Sequence, residues 1–329
     1  MTTPGPARLL GDIGGTNARF AWQAGEGAPL QDVMALATAD HPSVGSAIAH
    51  YLALTGHSAP AWCAIGIANP ITGDHVRMTN SHWSFSIGAL QAELGFERLR
   101  VINDFTALAL ALPDLQASEL RQLGGAAAVA DSPIGLVGPG TGLGVSGLLP
   151  GGMPGAWVPL QGEGGHVTLA AADAREEVVL RVLRERFGHA SAERAVSGMG
   201  LEALYAALTT LDAPGSGTAL PAAEITARAL AGSDARCVEA VALFCSFLGS
   251  VAGNLALTLG ARGGVYIGGG IVTRLGDWIH RSRFRTRFES KGRFRAYLSS
   301  IPVWLIRPSS PPALRGANAA LDLGRRPSP

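Results

Sequence analysis

The sequence predicts an α/β protein with two lobes, and three observations carry that expectation. Apolar strand-like runs alternate along the chain with helix-like segments, the pattern of an α/β architecture. At 329 residues the chain is long enough for two lobes, each with its own core. Two glycine-rich segments also share one design. Residues 9–20 and 134–144 each run an apolar stretch into a tight turn of glycines and one threonine, then return to apolar residues. A β-hairpin of this kind presents backbone N–H groups and a hydroxyl to a phosphate. Two of them point to two similar lobes gripping one polyphosphate.

The elements follow in order. After the first hairpin, 61–68 reads as a buried strand leading to Asn69-Pro70 and a turn at Thr72-Gly73-Asp74. Residues 86–94 read as a helix and 100–103 as a short strand ending in polar side chains. An apolar helix over 105–112 has its first turn after Asp104 and is stopped by Pro113. A lobe boundary is expected there, because the second glycine hairpin soon restarts the pattern. A charged-faced helix follows over 175–187, and Ser197 is positioned to cap another over 200–209. The Pro/Gly/Ser-rich stretch 212–221 reads as an exposed loop. Ser233 or Asp234 caps a long helix reaching Gly260, and 264–270 is a strand closing on three glycines. A strand over 301–306, a Pro-rich segment over 308–312, a short helix and a frayed tail over 325–329 end the chain. Beyond the two turns no internal repeat is visible.

Composition narrows the function classes. Hydrophobic content of 47% with 16% charged residues describes a globular chain. The net charge of +1 gives no global field toward nucleic acid or a membrane surface. Residues 1–8 lack the apolar core of a signal peptide, so none is expected. The apolar stretch 237–259 is interrupted by Glu239, Ser246 and Asn254 and fits a buried helix better than a membrane span. Cys63, Cys237 and Cys245 lie far apart in apolar runs and read as buried free thiols. Arg281, Arg283, Arg285, Arg287, Arg293 and Arg295 alternate with aromatics. In a neutral chain they read as a solvated amphipathic face and not as a nucleic-acid patch.

The chemistry must work without the familiar nucleotide motifs. There is no Walker-type loop, the only lysine, Lys291, lies far from any glycine turn, and no Rossmann fingerprint occurs in a strand-to-helix context. Backbone N–H groups and the Thr16 and Thr141 hydroxyls would hold the phosphates. Asp12, at the end of its strand, can hold Mg²⁺ against ATP directly or through water; the alternative is a purely structural turn. Asn103 and Asp104 end an apolar strand, at the sheet edge where ligands of open α/β sheets collect. As a base Asp104 needs a hydroxyl within reach; its bland alternative is helix N-cap. Gln161-Gly162-Glu163-Gly164-Gly165-His166 lets backbone approach a ligand, or is a flexible loop, and Glu193 is either a ligand or a solvated helix residue. Together Asn103, Asp104, Glu163, His166 and Glu193 form a set of donors and acceptors suited to sugar hydroxyls.

Assembled in order, these segments resemble the bacterial glucokinase family, the ATP-dependent hexokinase type of proteobacteria. The resemblance spans nearly the whole chain. It includes Gly11-Asp12-Ile13-Gly14-Gly15-Thr16-Asn17-Ala18-Arg19, Pro70-Ile71-Thr72-Gly73-Asp74, Met78-Thr79-Asn80 and Ile102-Asn103-Asp104-Phe105-Thr106-Ala107. It continues through Gly140-Thr141-Gly142-Leu143-Gly144, Gly162-Glu163-Gly164-Gly165-His166, Ser191-Ala192-Glu193-Arg194, Gly268-Gly269-Gly270-Ile271-Val272 and Phe288-Glu289-Ser290-Lys291-Gly292-Arg293-Phe294. The resemblance implies two actin-like, ribonuclease H-like α/β domains with the active site in the cleft between them. Their expected extents are 1–113 plus 307–329 and 114–306. It implies that Gly11, Asp12, Ile13, Gly14, Gly15, Thr16 and Asn17, with Gly140, Thr141 and Gly142, hold the ATP phosphates, and that Gly268 and Gly269 lie near the adenosine. Asp104 matches the family's catalytic base, which takes the proton of the glucose 6-hydroxyl. Asn103, Glu163, His166 and Glu193 match its sugar ligands. Mg²⁺, a cytoplasmic location, a homodimer and entry of glucose into glycolysis are further implications. Three departures stand out: Gln161 and Asn69 replace commoner neighbours, and Arg315-Gly316-Ala317 replaces a more glycine-rich stretch. Two rival classes are a sugar-binding regulatory protein of the same fold and another actin-like ATPase. The sugar kinases with a zinc-binding cysteine cluster are disfavoured, since no such cluster is present.

Overall fold

A computed structural model of the chain describes residues 5–153, 155–212, 215, 219–307 and 311–323. The chain divides into two compact units, Met1–Leu115 with Pro308–Pro329 and Gln116–Arg307.

The first unit runs β1 (Arg8–Ile13), β2 (Asn17–Gln23), β3 (Gln31–Ala37), α1 (Val44–Thr55), β4 (Trp62–Ile67), β5 (His75–Arg77), β6 (Ser84–Ser86), α2 (Ile87–Leu94), β7 (Arg98–Asn103) and α3 (Asp104–Ala111). Its main sheet has the order β3-β2-β1-β4-β7. The first three strands form an antiparallel meander, while β4 is parallel to β1 and β7 to β4. Parallel neighbours need crossovers, and α1 and α2 supply them. Alternation along β1 sends Leu9 and Ile13 to one face, with Phe20, Ile48, Tyr51 and Ile65. Leu10 points to the other face, with Ala64, Leu314, Ala317 and Leu321. The last three belong to the C-terminal helix, so the end of the chain completes a core begun by its first strand. Arg8 is fully buried and ties the two together. Its guanidinium donates to Asn318 Oδ1 at 2.6 Å and to both carboxylate oxygens of Asp322 at 2.9 Å, with the Trp62 ring 5.4 Å away.

The second unit runs β8 (Leu120–Gln122), β9 (Ile134–Pro139), β10 (Leu143–Pro150), β11 (Trp157–Leu160), α4 (Ala174–Phe187), α5 (Gly198–Asp212), α6 (Ala222–Ala231), α7 (Ala235–Leu259), β12 (Val265–Ile267), α8 (Gly270–Leu275), α9 (Trp278–Arg281), α10 (Phe284–Glu289), α11 (Arg295–Ser300) and β13 (Val303–Ile306). The sheet order is β11-β10-β9-β12-β13-β8. Again three strands form an antiparallel meander, β12 is parallel to β9 and β13 to β12, and β8 closes the edge antiparallel to β13. One topology is therefore used twice, although the sequence shows no repeat outside its glycine turns. The C-terminal helix, α12 (Pro312–Asp322), belongs to the first unit.

The 25-residue α7 is long and apolar enough to cross a membrane, but 78% of its most apolar window is buried inside the unit. Phe244, Phe247 and Leu248 are fully enclosed there, as expected of a core helix. All three cysteines are buried.

Several local expectations change. Asp234, not Ser233, caps α7, accepting the N–H groups of Arg236 and Cys237 at 2.9 and 3.1 Å. Ser197 Oγ accepts the Gly200 N–H at 2.9 Å, but α5 already begins at Gly198. The strand expected over 264–270 is confined to Val265–Ile267, because Gly269 turns the backbone at φ +94° and Gly270 opens α8. The arginine run is not uniformly a solvated face. α10 packs on α7, which buries Arg287 beneath the surface, where it pairs with buried Glu176 and donates to Ser250 Oγ at 2.9 Å. Arg285 is turned inward too, donating to Glu289 and to the carbonyls of Leu298, Ser299 and Ile301. Residues 213, 214 and 216–218 of the expected loop, 308–310 of the Pro-rich segment and the tail over 325–329 lie outside the described residues.

Candidate active site

In the first unit the chain leaves β1 at Ile13 and enters β2 at Asn17, and Gly14 N–H closes the turn on Asn17 O at 2.9 Å. Thr38 braces it, donating from N to Thr16 O at 3.0 Å and from Oγ1 to Gly15 O at 2.7 Å. Asn80 packs so closely on Gly15 that a Cβ there would come within 2.5 Å of the Asn80 carbonyl oxygen. Thr16 and Asn17 are exposed at the tip, whereas Gly11 and Ile13 are buried in the strand below. Asp12 pairs with Arg19, its cross-strand neighbour, at 3.2 Å. Burial pushes the Asp12 carboxyl above its ordinary range, and Arg19 partly offsets this.

At the end of β7, Asn103 holds an extended conformation and caps α3. Its Oδ1 accepts the N–H groups of Phe105 and Thr106 at 2.9 and 3.1 Å. The alternative role for Asp104 is thereby corrected: the cap is Asn103, and Asp104 is the first helical residue. Asp104 Oδ1 accepts from Phe105 N–H at 2.8 Å and from the Asn103 side-chain amide at 3.1 Å. That amide also reaches Asn69 O at 3.4 Å, and Thr79 Oγ1 donates to Asn69 Oδ1 at 3.1 Å. Asn69 and Thr79 thus join the polar group around Asp104. The sequence showed Thr79 only as part of a motif and Asn69 only as a departure from the family pattern, and their polarity at strand ends was the available signal.

In the second unit Gly140 N–H closes on Gly142 O at 2.8 Å between β9 and β10, with Thr141 exposed at the tip. Gly198, at the start of α5, donates to Gly140 O at 2.9 Å. Glu163 and His166 are exposed on a single 3-10 turn, in which His166 N–H donates to Glu163 O at 3.0 Å. Glu193 links this loop to the glycine turn: its N–H donates to Gly165 O at 2.8 Å, and its Oε2 accepts the Leu143 N–H at 2.9 Å. Gly268 N–H donates to Val137 O at 2.9 Å, which sets Gly268 and Gly269 beside the end of β9. A Cβ on Gly269 would overlap the Pro139 carbonyl. Gly140–Gly142, Glu193, the Glu163–His166 loop and Gly268–Gly269 therefore gather at one end of β9. No local pattern foretold the grip of Glu193 on Leu143, since the two are 50 residues apart. A cavity of about 620 Å³ elsewhere in this unit, lined by Phe187, Met199 and Tyr205, contains none of the predicted residues.

Each unit offers a glycine turn with bare backbone and polar side chains beside it. Among the described residues no cluster of three or more His, Cys, Asp or Glu could enclose a metal. Mg²⁺ bound with a nucleotide needs only one or two carboxylates besides phosphate and water, and Asp12 at the end of β1 fits that demand.

Comparison with known proteins places this geometry. Among solved structures of like fold, a crystal structure of glucokinase from an Antarctic psychrotroph is 36% identical, with a TM-score of 0.87 over 96% of this chain and 98% of that one. A glucokinase from Chromobacterium violaceum is 55% identical over 95% of this chain and 89% of its own length. One from Aromatoleum aromaticum is 57% identical over 96% and 94%. The glucokinase family model matches residues 9–323. The chain belongs to the glucokinase family.

Proposed function

We propose that this chain transfers the γ-phosphoryl group of MgATP to the 6-hydroxyl of glucose, giving glucose 6-phosphate and ADP. The observation that carries this reading is the presentation of Asp104 on the first turn of α3, its Oδ1 oriented by Phe105 N–H and the Asn103 amide. The carboxylate takes the proton of the 6-hydroxyl as that oxygen attacks the γ-phosphorus and the bond to the β-phosphate oxygen breaks. Asn103, Glu163, His166 and Glu193 serve the remaining sugar hydroxyls. The turns Gly11–Thr16 and Gly140–Gly142 hold the phosphates by backbone N–H groups, with the Thr16 and Thr141 hydroxyls, and Gly268 and Gly269 flank the adenosine. Asp12 would hold Mg²⁺, which neutralises phosphate charge when bound. Catalysis in this reading is positioning and charge stabilisation. A cytoplasmic homodimer at the entry to glycolysis is the setting that the family resemblance supports.

Coupled ATP turnover with glucose, mannose, fructose, N-acetylglucosamine and no sugar tests the proposal. Strong dependence on glucose is expected. Sugar-independent hydrolysis would indicate another actin-like ATPase, and sugar binding without turnover a regulatory protein.

A further inference from the structure

Glu193 does more in its unit than a sugar ligand requires. Its Oε2 accepts the Leu143 N–H directly after the Gly140–Gly142 turn, and Gly142 leaves the room: a Cβ there would lie 2.5 Å from Oε2. β11 pairs only with Gly147–Pro150, so on that side Leu143 has no strand neighbour and the carboxylate occupies the place of one. The main chain of Glu193 extends the connection. Its N–H donates to Gly165 O in the sugar loop, and its carbonyl accepts from Ser197 Oγ at 2.8 Å. Gly198, the next residue, donates to Gly140 O, back in the turn. Sugar loop, phosphate turn and the start of α5 thus form a closed circuit through one residue.

We propose that Glu193 is a positioning residue for the phosphate donor. Through Leu143 it holds the Gly140–Gly142 turn in the form that receives the nucleotide phosphates. Because the same carboxylate accepts a hexose hydroxyl, a step that rests on the glucokinase reading above, it couples the sugar and donor sites. Such coupling is reciprocal: glucose tightens the donor by the factor with which the donor tightens glucose. A charge-assisted bond to a backbone amide is among the stronger ones, and its loss should weaken the donor roughly tenfold.

The test is calorimetric titration of the full chain with a non-hydrolysable ATP analogue and Mg²⁺ in the absence of sugar, and separately with glucose. Glu193→Ala should weaken the analogue ~10-fold and weaken glucose as well. Glu193→Gln keeps an oxygen for Leu143, so it should spare the analogue while weakening glucose. His166→Ala should weaken glucose alone. Gly142→Ala displaces the carboxylate and should reproduce the analogue defect, with no further loss when combined with Glu193→Ala. Analogue affinity at the wild-type level in Glu193→Ala, with glucose lost, overturns the positioning role and leaves the glucokinase reading standing. A weakened analogue in Glu193→Ala and Gly142→Ala, with glucose affinity untouched in all four variants, upholds the grip on the turn and overturns the assignment of the sugar site.

Discussion

Asp104 is presented by the helix that it begins. Its position on the first turn of α3 sets the carboxylate at the positive end of the helix dipole, and Asn103 both caps that helix and donates to Asp104 Oδ1. Orientation is therefore built in before any substrate arrives, as the proposed base role of Asp104 requires. Asp104→Asn preserves the shape and the acceptor oxygen but removes the basicity. The variant should fold normally and bind glucose with near wild-type affinity, while turnover falls ~10²–10⁴-fold. Turnover at the wild-type rate would remove Asp104 from the base role. Asp12 differs in kind: it is a partly buried carboxylate whose charge is supported by one arginine.

At the scale of elements, α3 depends on the C-terminal helix. Gly316 of α12 lies against α3 so closely that a Cβ would overlap the Ala107 carbonyl. Gly316→Ala forces the helices apart and should cost about 3 kcal/mol of stability, read by urea unfolding. Because α3 carries Asp104, kcat should fall with it; a stability loss with unchanged kcat would confine α12 to a structural role. The start of α2 supplies a pH prediction. Asp74 accepts the Gly88 N–H at 2.8 Å, and its bonds to Ser86 and then to Gly88 hold its carboxyl below the ordinary value of 3.8. A depressed folded pKa means that the stabilisation is complete above the unfolded value and disappears as pH falls through the folded one. The melting temperature of Asp74→Ala should therefore lie below wild type at neutral pH. The two curves should converge in strong acid, and a gap that persists there would contradict the linkage.

For the molecule as a whole, one sheet topology serves twice, and each copy carries its own enclosed thiols. Cys63 sits on β4 of the first unit, whereas Cys237 and Cys245 lie on α7 of the second. Burial pushes all three thiols up, Cys237 to about 11 and Cys245 to about 12. None should react with an aromatic disulfide reagent at pH 8 in the native protein, since the thiolate is the reactive form. Labelling along a urea gradient, with mass mapping of each site, then reports the two units separately. Coincident labelling of Cys63 and Cys245 would show one cooperative transition, and labelling at distinct urea concentrations would show independent unfolding. A thiol modified before any unfolding would contradict its enclosure.

The sequence alone determined the alternation of strands and helices, both glycine turns, the buried character of α7 and the family. These features are local: a strand-end glycine turn or a 25-residue apolar helix is written in neighbouring residues. The inward turn of Arg287, the handover of the α3 cap from Asp104 to Asn103 and the shared sheet topology were not legible. Charge at position 287 reads as solvent exposure until Glu176, 111 residues away, is brought beneath it. The same holds for Glu193, whose grip on Leu143 exists because β11 pairs only with Gly147–Pro150 and leaves the Leu143 end of β10 without a strand on that side. Side-chain chemistry specifies which contacts are possible, and tertiary packing alone decides which distant groups lie close enough to make them.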